Sequence, residues 1–285
     1  MAATDHLQLR RPDDAQDEAG ARAWFSRLAE DLLNKTAVMI GGAAHRLVEL
    51  EVYYDEPGVH PDPFTHGHAL QRQSGRWYLH RVGDGLRGGS FKGVDLTVGS
   101  PRASGGVLVR GLERPDGALV DGPSLCVDYM IEQSGLTDLA ALDRALGQTP
   151  AGDPRLPVHL AALPAGAEAR AVHRTGRVGL TLKRVAEHPG MVATLLRPYR
   201  YLTRPRGTRK GKQYLTLALH AGGASLDEIQ RVTGTPVATL RRHVKGFAAG
   251  AAAHQDDAAL TAFHGQRLTP DVLARLHGAW HHHYG

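Results

Sequence analysis

The sequence predicts an α+β fold: a single mixed, largely antiparallel sheet with flanking helices, joined to a small all-α domain of helix-turn-helix type. Three observations lead there. Short β-rich runs bounded by glycine-containing turns recur between residues 36 and 202. Helical spacing is confined to two or three stretches beside them. After Arg204 the chain turns basic and then helical, with recognisable caps. The corresponding division is a disordered N-terminus over 1–18, a main domain over 19–204, and a basic linker with the helix-turn-helix over 205–285.

Residues 1–18 are polar and lack an apolar period, hence the expected disorder. From Ala21 to Leu33, the residues Trp24, Phe25, Leu28, Leu32 and Leu33 recur at helical spacing, and Asn34 stops the helix. Thr36 to Ile40 reads as a strand, Gly41-Gly42 as a turn, and Leu47 to Tyr53 as the returning strand of a hairpin. Further strands are expected at Arg76 to Arg81, Val94 to Val98 and Gly106 to Leu112. A glycine-rich loop, 83–93, separates the first two, and the turn Pro115-Asp116-Gly117 follows the third. Gly176 to Leu180 and Tyr199 to Leu202 read as one more pair of strands. Beyond them, Gln213 to His220 is expected as a helix ended by Gly222-Gly223. Ser225 and Glu228 form a Ser-x-x-Glu capping box for the next helix, whose apolar face is Leu226, Ile229 and Val232. Thr233-Gly234-Thr235-Pro236 then turns into a helix from Val237 to Ala249, and a last helix is expected from Pro270 to His277.

With 285 residues, 42% hydrophobic and 22% charged, the chain can bury a full core. A formal charge of +5 and a pI near 9.5 favour a polyanionic partner. No apolar run reaches bilayer length and the N-terminus lacks a signal-peptide core, so the expected location is cytoplasmic, with no membrane partner. Cys126 is the sole cysteine, which excludes an intrachain disulfide and a cysteine-rich zinc site; its apolar setting reads as a buried strand or helix position. The histidines His60, His66, His68 and His80 do not have the spacing of a metal motif, and no metal or cofactor is expected.

Chemistry-bearing residues concentrate in residues 47–67, LVELEVYYDEPGVHPDPFTHG. Alternation from Val48 to Tyr53 marks a half-buried strand that delivers Glu51 and two tyrosines into a turn-rich loop ending at His66. A carboxylate, aromatic rings and a histidine at one strand end can make a site. The same glutamates, Glu49 and Glu51, also suit the solvated face of an edge strand.

Further motifs follow in order: Asp62-Pro63-Phe64-Thr65-His66, Gly75-Arg76-Trp77-Tyr78-Leu79-His80, Val107-Leu108-Val109-Arg110-Gly111-Leu112-Glu113, Gly122-Pro123-Ser124-Leu125-Cys126, and Arg177-Val178-Gly179-Leu180 with Arg197-Pro198-Tyr199-Arg200-Tyr201. With Val48-Glu49-Leu50-Glu51-Val52-Tyr53 at their head, they resemble the alkyladenine (3-methyladenine) DNA glycosylase family over residues 20–204. The resemblance implies a monofunctional DNA glycosylase, which flips a modified base out of duplex DNA, hydrolyses its N-glycosidic bond and leaves an abasic site. Glu51 matches the glutamate that orients the attacking water and faces the oxocarbenium-like sugar, and Arg110 the arginine beside it. Tyr53 and His66 match two stacking residues. The third stacking position, a tyrosine in the family, falls on His80, which also reads as a half-exposed strand histidine. The pocket asparagine falls on Thr97 or, with a shifted alignment, on Asp95. The family's wedge has no clear counterpart, and Leu86 and Phe91 are the apolar alternatives. Lys92 is the nearest amine for a Schiff base, ranked below the water mechanism.

The tail suggests how DNA would be held. Residues 204–212, RPRGTRKGK, read as a flexible basic link that lays Arg206, Arg209, Lys210 and Lys212 along phosphates. The helix from Val237 turns Leu240, Val244 and Phe247 inward and leaves Thr239, Arg241, Arg242, His243 and Lys245 outside, as in a recognition helix. The expected partner is double-stranded DNA with a modified base, bound by a monomer. Two other readings remain: a non-catalytic DNA-binding or regulatory protein on a glycosylase-like fold, and a nucleoside-type hydrolase.

Overall fold

The computed structural model describes residues 6–253, 260 and 262–285. The chain forms two compact units, one of residues 1–172 with 201–204, the other of 173–200 with 205–285. The fold is α+β, as expected. Among the described residues no helix is long and apolar enough to cross a membrane.

The first unit opens with α1 (Glu18–Asn34), capped by Asp17, whose side chain accepts from the Gly20 N–H. Trp24, Phe25, Leu28, Leu32 and Leu33 are all buried, the stripe that the spacing predicts. Residues ahead of the helix differ from the expectation of disorder. Leu7 and Ala15 are buried, Trp24 Nε1 donates to Gln8 O at 2.8 Å, and Ser74 Oγ donates to Leu9 O at 2.8 Å. Arg11 clasps Glu56 through Nε and Nη2 at 2.7 and 2.9 Å. A polar composition hid this because main-chain carbonyls and a single ion pair do the anchoring; residues 1–5 lie outside the described residues.

β1 (Thr36–Ile40) and β2 (Ala43–Asp55) form the expected hairpin, with Gly41 and Gly42 both at positive φ. β3 (Ser74–Leu79), the small hairpin β4 (Arg81–Val82) with β5 (Gly85–Leu86), β6 (Val94–Val98), β7 (Ser104–Glu113) and β8 (Leu119–Asp121) follow. Helices α2 (Pro123–Gln133) and α3 (Leu139–Leu146) come next, then β9 (Val158–Ala162). The order across this unit's sheet is β9-β1-β2-β7-β6-β3, with β8 also on β7 and every pairing antiparallel. The β4–β5 pair straddles the end of the strand expected at Arg76 to Arg81 and the start of what reads from sequence as a glycine-rich loop. Cys126 is fully buried in α2, where burial and then Glu49 push its thiol up.

The second unit holds β10 (His173–Thr175), the short α4 (Met191–Thr194), and helices α5 (Lys212–Ala221), α6 (Leu226–Thr233), α7 (Val237–Ala253) and α8 (Pro270–Tyr284). The strand expected at Gly176 to Leu180 is absent: the extended run stops at Thr175, and Gly179 has φ 84°, incompatible with a continuing strand. β11 (Arg200–Leu202) forms as expected, its last two residues belonging to the first unit. There Thr203 N donates to Val48 O at 3.0 Å and Arg204 pairs with Glu113, which Arg170 also clasps at 2.8 and 2.9 Å.

Candidate active site

β2 carries its aromatic and aliphatic residues toward α1, where Tyr54 meets Trp24 edge-on at 5.2 Å. Alternation then sends Glu49, Glu51 and Tyr53 to the opposite face. Register shifts on either side of Glu49 leave Val48 on β2 and Arg110 on β7 outside the one-to-one pairing. Arg110 Nε donates to Glu49 Oε1 at 2.8 Å and lies 3.3 Å from Glu51 Oε1; its Nη1 lies 3.4 Å from Glu51 Oε2. Tyr53 OH donates to Glu51 Oε2 at 2.8 Å. Exposure is 0% for Glu51, 1% for Glu49 and 6% for Arg110, which rules out the solvated strand face. Burial disfavours the Arg110 charge, but Glu51 and Glu49 outweigh it and hold the guanidinium above its ordinary value. Two buried carboxylates thus share one guanidinium.

A second cluster lies on the same face. Tyr78, Asp95, Leu108 and Glu51 are cross-strand partners in one row over β3, β6, β7 and β2. Asp95 and Glu51 therefore flank Leu108 at two strand spacings, about 10 Å between backbones. In the adjoining row Thr97, Gly106 and Tyr53 are partners, and a Cβ on Gly106 would stand 2.5 Å from Asp95 Oδ2. Asp95 thus leans over a floor kept bare by glycine. Its Oδ1 lies 2.7 Å from His80 Nε2, and its Oδ2 accepts from Gln71 Nε2 at 3.1 Å. The His80 ring lies across Gly93, where any Cβ would come within 2.6 Å of it. His66 stands edge-on to His80 with centroids 4.6 Å apart, and His68 stacks on Tyr78 at 5.3 Å.

The loop that delivers His66 is built by its own side chains. Asp62 Oδ1 accepts from Phe64 N at 3.2 Å, Asp62 N donates to Asp55 Oδ1 at 3.0 Å, and His60 Nδ1 lies 2.7 Å from Tyr54 O. Burial, then His80, pushes the His66 imidazole down to about 4, although by surface area the residue is exposed. Burial and Asp95 push the Tyr78 hydroxyl up to about 12.

The structure thus brings Glu51, Tyr53 and Arg110 together, and separately His66, His80 and Asp95, on one face of one sheet. Thr97 is apart from the second cluster's bonding: its Oγ1 accepts from Arg76 N at 3.0 Å across an irregularity between β3 and β6. Lys92 pairs with Asp128 of α2, and Phe91 is 71% exposed. Among the described residues no group of three or more His, Cys, Asp or Glu is placed to hold a metal ion. A cleft of about 680 Å3 lined by Arg11, Asp13, Gln16, Glu56, Pro57, Val59 and Arg102 shares no residue with either cluster.

In the second unit, Arg206, Arg209, Lys210, Arg241, Arg242 and Lys245 are exposed and Thr239 is half-buried. Three expectations need correction. Lys212 is not laid out for phosphate, because its Nζ donates to Arg206 O and Thr233 O, both at 2.9 Å. The link is not flexible either: buried Arg200 donates to Gly211 O and Lys210 O at 2.9 Å each. His243, expected outside, is buried with Nδ1 3.3 Å from Thr216 Oγ1, since α5 packs on that side of α7.

No protein-family model matches the chain. It is similar to Uncharacterized protein L759 of Acanthamoeba polyphaga mimivirus, with 31% identity over 134 residues, 42% of this chain and 62% of that protein. The chain thus spans less than two thirds of that relative's length.

Proposed function

We propose that the first unit is a monofunctional DNA glycosylase. One observation supports it above others: Glu51, held by Arg110 and Tyr53, shares a sheet face with His66, His80 and Asp95 across the bare floor of Gly106. A flipped base stacks against the rings of Tyr53 and His66, its unstacking cost offset by those contacts. Water adds at the sugar carbon, the bond to the base nitrogen breaks with its electron pair going to the base, and Glu51 takes the water proton. Arg110 and Tyr53 hold that carboxylate in place for the step. The partner is duplex DNA carrying a modified base, engaged by a monomer in the compartment that holds DNA. No cofactor enters this chemistry.

Glu51→Gln keeps the shape but not the proton acceptor, so single-turnover excision should fall by roughly 10²–10⁴-fold with DNA binding retained. Purified protein is incubated with alkylated and deaminated duplexes, and abasic sites are cleaved by alkali. Unchanged excision in the variant removes Glu51 from the mechanism. One observation favours a second reading. Glu51 has no exposed surface and shares its guanidinium with Glu49, as a structural ion cluster would. A non-catalytic DNA-binding protein then shows tight duplex binding and no excision by wild type on any duplex.

A further inference from the structure

The second unit carries a surface that excision chemistry does not use. On α7, Ala238, Arg241, Arg242 and Lys245 are exposed and recur at i, i+3, i+4 and i+7, one face of the helix. Leu240, His243, Gly246 and Gly250 form the buried side. The three cations stand within two turns, and among the described residues no carboxylate forms an ion pair with them. Glu228 is bound in the capping box of α6, and Asp271 lies beside Gly246 on the buried side.

The mounting of this helix is rigid. Gly234 adopts φ 70° and donates to Gln230 O at 2.8 Å, closing α6. Thr233 Oγ1 donates to Ile229 O at 2.7 Å and accepts from Thr235 N at 3.1 Å. Lys212 Nζ takes the last carbonyl of α6, Thr233 O. Helices α5, α6 and α7 contact one another pairwise, and α8 runs along the buried side of α7. The N-terminal turns of α7 are thus held firmly by residues that leave its cationic face uncovered by any described residue.

We propose that α7 is a base-reading helix, which enters the major groove of duplex DNA and gives the protein a preferred sequence. A groove about 12 Å wide admits one helix, and the small Ala238 lets the backbone approach the base edges. Arg241 and Arg242 donate in pairs to guanine O6 and N7, and Lys245 neutralises a phosphate. The polyanion fits the charge: three cations that have no ion-pair partner among the described residues attract phosphates, and two of them are the planar forks that guanine edges select. This inference shares the duplex partner of the reading above and is independent of its chemistry.

The test uses the full chain and duplexes without modified bases. A randomised duplex pool is selected on the protein and sequenced, and binding to the winner and to a scrambled duplex is titrated at three salt concentrations. An enriched motif with guanine is expected, bound about tenfold to a hundredfold more tightly than the scramble. Arg241→Ala and Arg242→Ala each relax one position of the motif. Lys245→Ala weakens all sequences alike and lowers the salt slope by about 0.9. Circular dichroism melts check that these surface variants stay folded. Salt-dependent binding without enrichment means phosphate contact only and overturns the proposal. Binding unchanged in all three variants also overturns it and assigns the stripe to an acidic protein. Selection with Glu51→Gln should return the same motif, which separates failure here from failure of the glycosylase reading.

Discussion

Arg110 shows how one side chain couples fold and site. It sits 6% exposed between Glu49 and Glu51, so removing it strands two carboxylates in a dry interior. Arg110→Met should destabilise the first unit by roughly 3–5 kcal/mol, read as a lower urea midpoint. An unchanged midpoint would mean that water reaches the pair. Glu51, Tyr53, His66 and Arg110 were legible in the sequence because strand alternation and motif order mark them. Glu49 read only as a strand face, since the register shifts that aim Arg110 at both carboxylates leave no sequence trace. Gln71 and His68 were illegible for another reason. They act from a single 3-10 turn, Ala69–Arg72 and its cap, in which no period distinguishes a partner of Asp95 from a surface polar residue.

At the scale of elements, α8 carries more than its sequence suggests. The period predicts a helix to His277, whereas α8 continues to Tyr284, with Trp280 buried and its Nε1 donating to Val192 O at 2.8 Å. Glycines make the seam with α7: a Cβ on Gly250 would stand 1.9 Å from Arg275 O, and one on Gly278 1.9 Å from Phe247 O. Such contacts are invisible to hydrophobic patterning, which counts side chains and not their absence. His277 lies in this element, 6% exposed and edge-on to Tyr214 at 5.3 Å, its imidazole pushed down to about 3 by burial and then by His281. The unfolded chain therefore binds the extra proton first. Stability from neutral His277 is complete above the ordinary histidine range and is lost as pH falls from about 6.5 toward 3, on the order of a few kcal/mol. His277→Leu should flatten the pH dependence of the second unit's melting over that window; an equal slope in the variant would place the titration at other histidines.

At the scale of the molecule, the division expected at Arg204 and the chain's two compact units do not coincide. A composition shift after Arg204 marks the basic link, yet residues 173–200 group with the C-terminal helices and only 201–204 return to the first unit. Gly211 is one reason: its φ of 70° brings it so close to Val178 that a Cβ would lie 2.3 Å from Cγ2. No local signal reports that contact between segments thirty residues apart. Deleting 206–285 should therefore leave 173–200 without partners for Met191, Val192, Leu195 and Leu196, all buried. Limited proteolysis should digest 173–200 in the truncated protein and spare the region before Val172. Resistance of both segments would show that 173–200 folds without the helices. The alternation of the chain between its two units also bears on inheritance. A gene fusion joined at Arg204 would deliver helices α5 to α8 without residues 173–200, the segment that groups with them, whereas one joined after Val172 would carry that segment along.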